Sequence, residues 1–184
     1  MGASDPYLFP QYIHYISENL ANTTKNLKKV GWLGLQQPYY VSDYLESFHS
    51  EIETHCFDIV PQEGVPRCHR LDLNETGWGS RLREEGFNLL TLLRCTCYIK
   101  DQDAAIRELR DFLGEDGNRL IWFEDMDPND YLLSETANYC GVAATKTQCP
   151  FGHALLSEHF LIMSTARLRD EYWAWYDQYL LARK

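Results

Sequence analysis

The sequence predicts an α/β fold with a mostly parallel β-sheet, helices on both faces of the sheet and one antiparallel strand near the C-terminus. The prediction starts from residues 86–123, where two short apolar runs, Leu89–Leu93 and Leu120–Phe123, flank an amphipathic stretch. Runs of this length and apolar content are typical of strands that are buried on both faces. A strand, a crossover helix and a second strand form a βαβ unit, which favours a parallel sheet.

The crossover helix is predicted between these two strands, where apolar residues such as Ile106 and Leu109 recur at helical spacing. Asp103 is its predicted N-cap residue, and Gly114 or Gly117 is its predicted end. The charged residues that are predicted to face outward are Arg107, Glu108, Arg110 and Asp111.

Short apolar or alternating segments predict the other strands, and the last of them is predicted to be the antiparallel strand near an edge of the sheet. These segments are Lys29–Leu35, His55–Val60, Cys68–Leu73 and His159–Thr165.

Helices are predicted at both ends of the chain and between the strands. Residues 1–28 are predicted to contain a flanking helix, residues 40–52 and 129–140 two further helices, and residues 74–85 a loop or short helix. Residues 168–184 are predicted to form an amphipathic C-terminal helix. The residues that share its apolar face are Leu168, Tyr172, Trp175, Tyr176, Tyr179 and Leu180.

Composition favours a single domain over residues 1–184, since 45% of the residues are hydrophobic and no linker-like segment divides the chain. The net charge of −10 disfavours extended nucleic-acid binding. No apolar run is long enough to span a membrane, and the first residues do not have the pattern of a secretory signal. Six cysteines without such a signal fit reduced thiols, so we expect an intracellular protein of the cytoplasm or nucleus.

The order of these segments resembles the class I S-adenosylmethionine-dependent methyltransferase fold, a Rossmann-like fold, over about residues 29–167. The family's second strand is matched by HCFDIVP, and the resemblance implies that its terminal acid, Asp58, holds the ribose hydroxyls. The third strand is matched by HRLDLNE, whose acid, Asp72, would lie by the adenine. The fourth strand, crossover helix and fifth strand are matched by residues 86–125, with Asn88 where the family often has Asp, and the closing antiparallel strand by HFLIMSTARL.

The turn after the first strand departs from the family's pattern. The family has an acid, one spacer and a turn of roughly G-x-G-x-G form; here Gly34 keeps the first glycine, Trp32 replaces the acid, and Gln36 and Pro38 replace the other glycines. A side chain at Gln36 fills space that the ligand uses, and Pro38 lacks an N–H. Trp32 cannot accept a hydrogen bond from the ligand's ammonium group. The sequence therefore predicts a methyltransferase-like fold that does not bind its cofactor in the usual way.

If S-adenosylmethionine is bound nevertheless, the resemblance implies that Gly34, Asp58, Asp72 and Asn88 contact it. Three functions of different class remain open: a non-catalytic methyltransferase-like subunit that binds a protein partner, an active methyltransferase acting on an amine, a protein or RNA, and a small zinc-stabilised domain. No residue is assigned to catalysis.

Acidic and aromatic residues are the candidate contacts to a substrate or partner. The acidic ones follow the strand 120–123, at the edge where ligands bind in open α/β sheets, and suit a cationic group; a solvated loop is the alternative. The aromatic ones are candidate anchors in a protein interface. These candidates are Glu124, Asp125, Asp127, Tyr7, Phe9 and Tyr39.

Cys140, Cys149 and His153 are residue types that bind zinc. Their spacing is incomplete for the common zinc-finger patterns, and residues 149–153 also fit a simple turn. They are therefore weak candidates for a metal site.

Overall fold

The structure, a computed structural model, describes residues 9–15, 19, 27–34, 46, 51–93, 95–126, 138–139, 142–143, 151–169 and 175–184. Its strands are β1 (Lys29–Leu33), β2 (Glu53–Asp58), β3 (Cys68–Arg70), β4 (Leu89–Leu92), β5 (Leu120–Met126), β6 (Asn138–Tyr139), β7 (Val142–Ala143), β8 (Phe160–Arg169) and β9 (Trp175–Arg183). Its helices are α1 (Phe9–Tyr15), α2 (Trp78–Glu84), α3 (Gln102–Leu113) and α4 (Gly152–His159), with a 3₁₀ turn at Thr96–Tyr98.

Seven of these strands form one sheet in the order β3-β2-β1-β4-β5-β9-β8, and β6 and β7 pair separately. The strands β1 to β5 are parallel to one another. β9 is antiparallel to both of its neighbours, β5 and β8. The predicted α/β fold, a mostly parallel sheet with an antiparallel strand near the C-terminus, is confirmed.

Helices cover both faces of this sheet. On one face, buried residues of α2 and α3 such as Leu82 and Leu109 pack with Leu90 of β4. On the other face, Tyr12 of α1 packs with Trp122 of β5. Successive residues of a strand point to opposite faces, so each central strand is apolar at nearly every position. None of the described helices is long and apolar enough to span a bilayer.

The predicted βαβ unit is present as β4, α3 and β5. Its helix begins earlier than predicted, because Asp101 and not Asp103 is the N-cap residue: an Asp101 carboxylate oxygen accepts the N–H of Ala104 at 2.9 Å. Gly114 follows the last helical residue and donates its N–H to the carbonyl of Arg110 at 3.0 Å, as predicted for the helix end.

The helices α2 and α3 are in close contact at Gly79. A Cβ added to Gly79 would lie only 1.9 Å from the carbonyl oxygen of Glu108. Glu108 was predicted to face outward, but it is 6% exposed. Its carboxylate accepts the N–H of Gly77 at 2.6 Å and that of Gly79 at 2.8 Å, so it satisfies the amino end of α2.

The predicted C-terminal helix at 168–184 is wrong. Leu168 and Arg169 end β8, and residues 175–183 form β9. β9 is an interior strand with apolar contacts on both faces, so the spacing of its aromatic residues does not follow a two-residue period. The antiparallel strand is therefore β9 and not His159–Thr165, and β8, at the edge, runs in the direction of β1 to β5.

The remaining predictions have mixed outcomes. The N-terminal helix is described over Phe9–Tyr15, and Leu27 is outside any helix. The predicted helix at 40–52 lies largely outside the described residues. In the predicted helix at 129–140, Asn138–Tyr139 form β6 instead, and the other residues lie outside the described part. The short segment at 74–85 contains α2.

Candidate functional site

The carboxyl ends of the parallel strands form the candidate site. The strand order reverses between β1 and β4, and in open α/β sheets ligands bind in the crevice outside such a switch point. Gly34 directly follows β1, Asp58 ends β2, and Asp72 follows β3 by two residues. Three of the four residues predicted to contact a cofactor therefore lie at one edge of the sheet.

Gly34 ends β1 in a conformation that requires glycine. Its φ is 78°, and a Cβ added there would lie 2.4 Å from the Cβ of Cys95. Its N–H donates to the carbonyl of Phe57 at 2.7 Å, which extends the pairing of β1 with β2. The chain after β4 is thus in contact with the end of β1 at the switch point.

Trp32 occupies the position where the family has an acid, and it is only 1% exposed. Its indole lies on the α1 face of the sheet and meets the ring of Trp122 edge-on, with ring centroids 6.3 Å apart. The Trp32 Nε1 and the hydroxyl of Thr91, its partner in register on β4, have no hydrogen-bond partner in the described part of the chain. Gln36 and Pro38 lie outside the described residues.

Asp58 is half-buried, and one of its carboxylate oxygens accepts the N–H of Val60 at 2.9 Å. Its carbonyl accepts the N–H of Leu71 at 2.9 Å and so connects β2 to the chain after β3. The next two side chains, Ile59 and Val60, are exposed apolar groups. The end of β2 therefore presents a carboxylate next to an apolar surface.

Asp72 organises the loop that follows β3. Its carboxylate accepts the backbone N–H of Asn74 at 2.9 Å and the Asn74 amide at 3.0 Å. The Asn74 side chain in turn accepts the N–H of Lys100 at 2.7 Å and donates to the carbonyl of Tyr98 at 3.2 Å. Through Asn74, Asp72 thus helps to join the loops after β3 and β4.

Asn88 does not lie with the other predicted cofactor contacts. It precedes β4, and its side-chain oxygen accepts the N–H groups of Lys28 and Lys29 at 3.1 and 3.3 Å. The four residues of β4 separate it from the carboxyl edge by about 13 Å. Because the strands are parallel, Asn88 lies at their amino ends and Gly34 at their carboxyl ends, so the structure does not bring Asn88 together with the other three predicted cofactor contacts.

Glu124 and Asp125 lie neither in an open acidic site nor in a solvated loop, since they are residues of β5 and are 1% and 4% exposed. The Glu124 carboxylate accepts the Tyr12 hydroxyl at 2.7 Å and the Gln178 amide at 2.6 Å, and Gln178 accepts Trp122 Nε1 at 2.7 Å. Asp125 accepts the N–H of Gly152 at 2.8 Å at the start of α4. Both acids connect elements of the fold, and their predicted contact with a substrate or partner stays a prediction.

The other predicted contacts are not settled. Asp127, Tyr7 and Tyr39 lie outside the described residues, and Phe9 lies in α1, where its side chain is outside the described part.

The weak zinc candidates also stay a prediction, because Cys140 and Cys149 lie outside the described residues. His153 is exposed on α4, with its ring centroid 6.1 Å from that of Tyr179. Within the described ranges, no three His, Cys, Asp or Glu side chains converge as metal ligands.

Sequence reasoning missed a pair of histidines on β2 and β3. Nδ1 of His55 lies 2.8 Å from Nε2 of His69, and Nε2 of His55 is hydrogen-bonded to the Glu53 carboxylate. This bond from His55 lowers the pKa of Glu53. Burial, and then the neighbouring His55, lower the pKa of His69. The register of β2 against β3 brings the two rings together, and only the alternation of side chains on two paired strands could have indicated it.

No protein-family model and no curated protein sequence matches this chain.

Solved structures of other proteins share its fold. The MccD protein aligns with a TM-score of 0.60 at 10% identity, over 95% of this chain and 96% of its own. The Burkholderia thailandensis 1,6-didemethyltoxoflavin-N1-methyltransferase, solved with bound 1,6-didemethyltoxoflavin and S-adenosylhomocysteine, aligns with a TM-score of 0.59 at 12% identity, over 99% of this chain and 80% of its own. MtNAS in complex with MTA and tNA aligns with a TM-score of 0.53 at 12% identity, over 97% of this chain but 62% of its own length.

These likenesses establish the fold. The chain has a class I S-adenosylmethionine-dependent methyltransferase-like fold, as the order of its segments predicted. It spans less than two thirds of the length of MtNAS.

Proposed function

We propose that this chain is a non-catalytic methyltransferase-like module, a pseudo-methyltransferase, that binds a protein partner as a subunit of a larger assembly. The burial of Trp32 supports the proposal most strongly. A cofactor of this fold needs an acceptor for its ammonium group at the end of β1, whereas an indole offers only a donor. A charge-assisted hydrogen bond contributes about 1.5–3 kcal/mol, so its absence lowers affinity roughly 10- to 150-fold.

The packing around Trp32 disfavours an acid at this position. Trp32 fills the core between β1 and α1, and a carboxylate placed there would be buried beside Trp122 and Thr91 without a cationic partner among the described residues. Its role in this chain is therefore that of a core residue.

An active methyltransferase acting on an amine, a protein or RNA is the second candidate function. It is favoured by Asp58 and Asp72, two carboxylates at the carboxyl edge, and by the apolar surface of Ile59 and Val60 beside them. Such a surface suits a nucleoside, with a carboxylate for the ribose hydroxyls and apolar side chains for the base.

Calorimetric titration with S-adenosylmethionine and S-adenosylhomocysteine separates the two candidates. We expect dissociation constants weaker than about 1 mM for the unmodified chain. Micromolar binding that is lost in Asp58→Ala but kept in Asp103→Ala, an exposed acid on α3, would refute the non-catalytic proposal and support the enzyme.

The protein-binding part of the proposal rests on the exposed side chains of Ile59 and Val60 at the carboxyl edge. Adjacent exposed apolar groups of this kind favour contact with a protein partner. Cross-linking and affinity capture with an Ile59→Ser, Val60→Ser double variant tests this, with Leu161→Ser on β8, a more exposed apolar residue, as the control. Capture that falls only in the control would place the interface elsewhere.

A further inference from the structure

The two histidines on β2 and β3 form a polar cluster that the proposed function does not use. Their rings lie end to end, since the facing nitrogens are 2.8 Å apart and the ring centroids 5.1 Å, with planes inclined by 18°. The cluster lies on the strands themselves, before the carboxyl edge where Asp58 ends β2.

Glu53 determines which nitrogen of His55 carries the proton. An ionised carboxylate only accepts hydrogen bonds, so Nε2 of His55 donates to Glu53 and Nδ1 of the neutral ring has a lone pair. His69 then donates its Nε2–H to that lone pair. A metal ion can take the place of this shared proton if His69 moves its proton from Nε2 to Nδ1 through solvent, and both facing nitrogens then become ligands.

Packing holds the rings in this orientation. The His55 ring meets Phe87 edge-on at 5.3 Å, and the His69 ring lies 5.2 Å from that of Phe57. The side chain of His55 is 12% exposed, whereas His69 is exposed and leaves one side of the pair open to water. One ligand is therefore fixed and the other is free to adjust.

The charges around the pair are mixed. Glu53 and Glu85 carry charges that favour a cation here, and Lys29 and Arg81 carry charges that oppose it. Cys56 and Cys68 lie next to the histidines in sequence but on the opposite face of the sheet, so they cannot complete the site.

We propose that His55 Nδ1 and His69 Nε2 bind a divalent transition-metal ion of the class of Zn²⁺, Ni²⁺ or Cu²⁺. Imidazole is a preferred ligand of these ions. The Glu53 carboxylate on the outer nitrogen of His55 is the partner that metal-binding histidines have. Two nitrogens at about 2.0–2.1 Å from a tetrahedral zinc ion are roughly 3.3 Å apart, and both lone pairs point at the metal and not at each other. Binding therefore requires the exposed His69 side chain to turn its ring toward the ion as well as to move outward. No third protein ligand converges in the described residues, and water completes the coordination.

Calorimetric titration of the whole chain with ZnCl₂ tests the proposal. We expect one site of micromolar affinity, weakened at least tenfold in His69→Gln and in His55→Gln. Glu53→Gln should weaken it by roughly tenfold, the lower end of the usual effect of losing such a partner. The matched control is His153→Gln on α4, which removes the histidine of the alternative set with Cys140 and Cys149 and should bind as the unmodified chain does.

Because His69 is exposed, its variant should keep the unmodified melting temperature, so a loss of binding is not a loss of fold. Long-range ¹H–¹⁵N spectra should show zinc-dependent shifts of Nδ1 of His55 and Nε2 of His69. The proposal is overturned by the absence of saturable binding, or by binding that His69→Gln leaves unchanged.

Discussion

Replacing Glu108 should destabilise the fold in a graded way. Its two carboxylate oxygens accept the N–H of Gly77 at 2.6 Å and that of Gly79 at 2.8 Å. Hydrogen bonds to charged groups contribute about 1.5–3 kcal/mol each, so Glu108→Ala removes up to about 3–6 kcal/mol. Gly77 is exposed and can bond to water instead, whereas the buried Gly79 N–H is left unsatisfied. We therefore expect a cost near the lower limit, about 3 kcal/mol.

Glu108→Gln keeps one acceptor and turns an amide donor toward the second N–H, so about half of that cost, roughly 1.5 kcal/mol, is expected. Urea unfolding followed by circular dichroism measures both values, provided that the slope of free energy against urea stays constant. Glu84→Ala, an exposed acid at the end of α2, is the control and should cost less than about 0.5 kcal/mol. Equal stability of Glu108→Ala and Glu84→Ala would refute this account of α2 and α3.

Three further predictions concern other parts of the fold. Gly34→Ala should lower the melting temperature, because its φ is 78° and its Cβ would overlap that of Cys95; the double variant with Cys95→Gly should recover only the part due to the overlap. Cys56 should react with iodoacetamide far more slowly at pH 8 than in the unfolded chain, since burial raises its pKa to about 12, and equal rates would contradict its burial. Asp116 has a lowered pKa because its carboxylate accepts the N–H of Asn118 and a hydrogen bond from Arg119. The stability that this carboxylate contributes to the fold is therefore present above its ordinary pKa of 3.8 and is lost as the pH falls through its lower pKa in the folded state. Asp116→Asn should therefore lose less stability than the unmodified chain between pH 5 and pH 2 in thermal melts, and an identical loss would exclude this contribution.

Sequence patterns predicted those elements whose structure depends on residues close together in the chain. β4, α3 and β5 were predicted from two buried apolar runs and a helical stripe, because both signals depend on residues close in sequence. β9 was not predicted, since its place between β5 and β8 depends on pairing with β5, a strand far away in the chain.

The site could be predicted only in part for a similar reason. Asp58 and Asp72 lie at the carboxyl edge because Asp58 ends β2 and Asp72 follows β3 by two residues. Glu108 and Glu124 look like surface residues in sequence, and their burial is explained only by distant hydrogen-bond donors. Asn88 matched a family position, but the position of a residue relative to its strand decides at which edge it lies.

The position of β9 also determines the order in which the sheet can be completed. β8 precedes β9 in the chain but lies outside it, so β8 has no strand of the sheet to pair with until β9 is in place. Its Leu161 and Met163 remain exposed even in the folded chain. We expect β8 and β9 to form a hairpin first and then to join β5 as one unit.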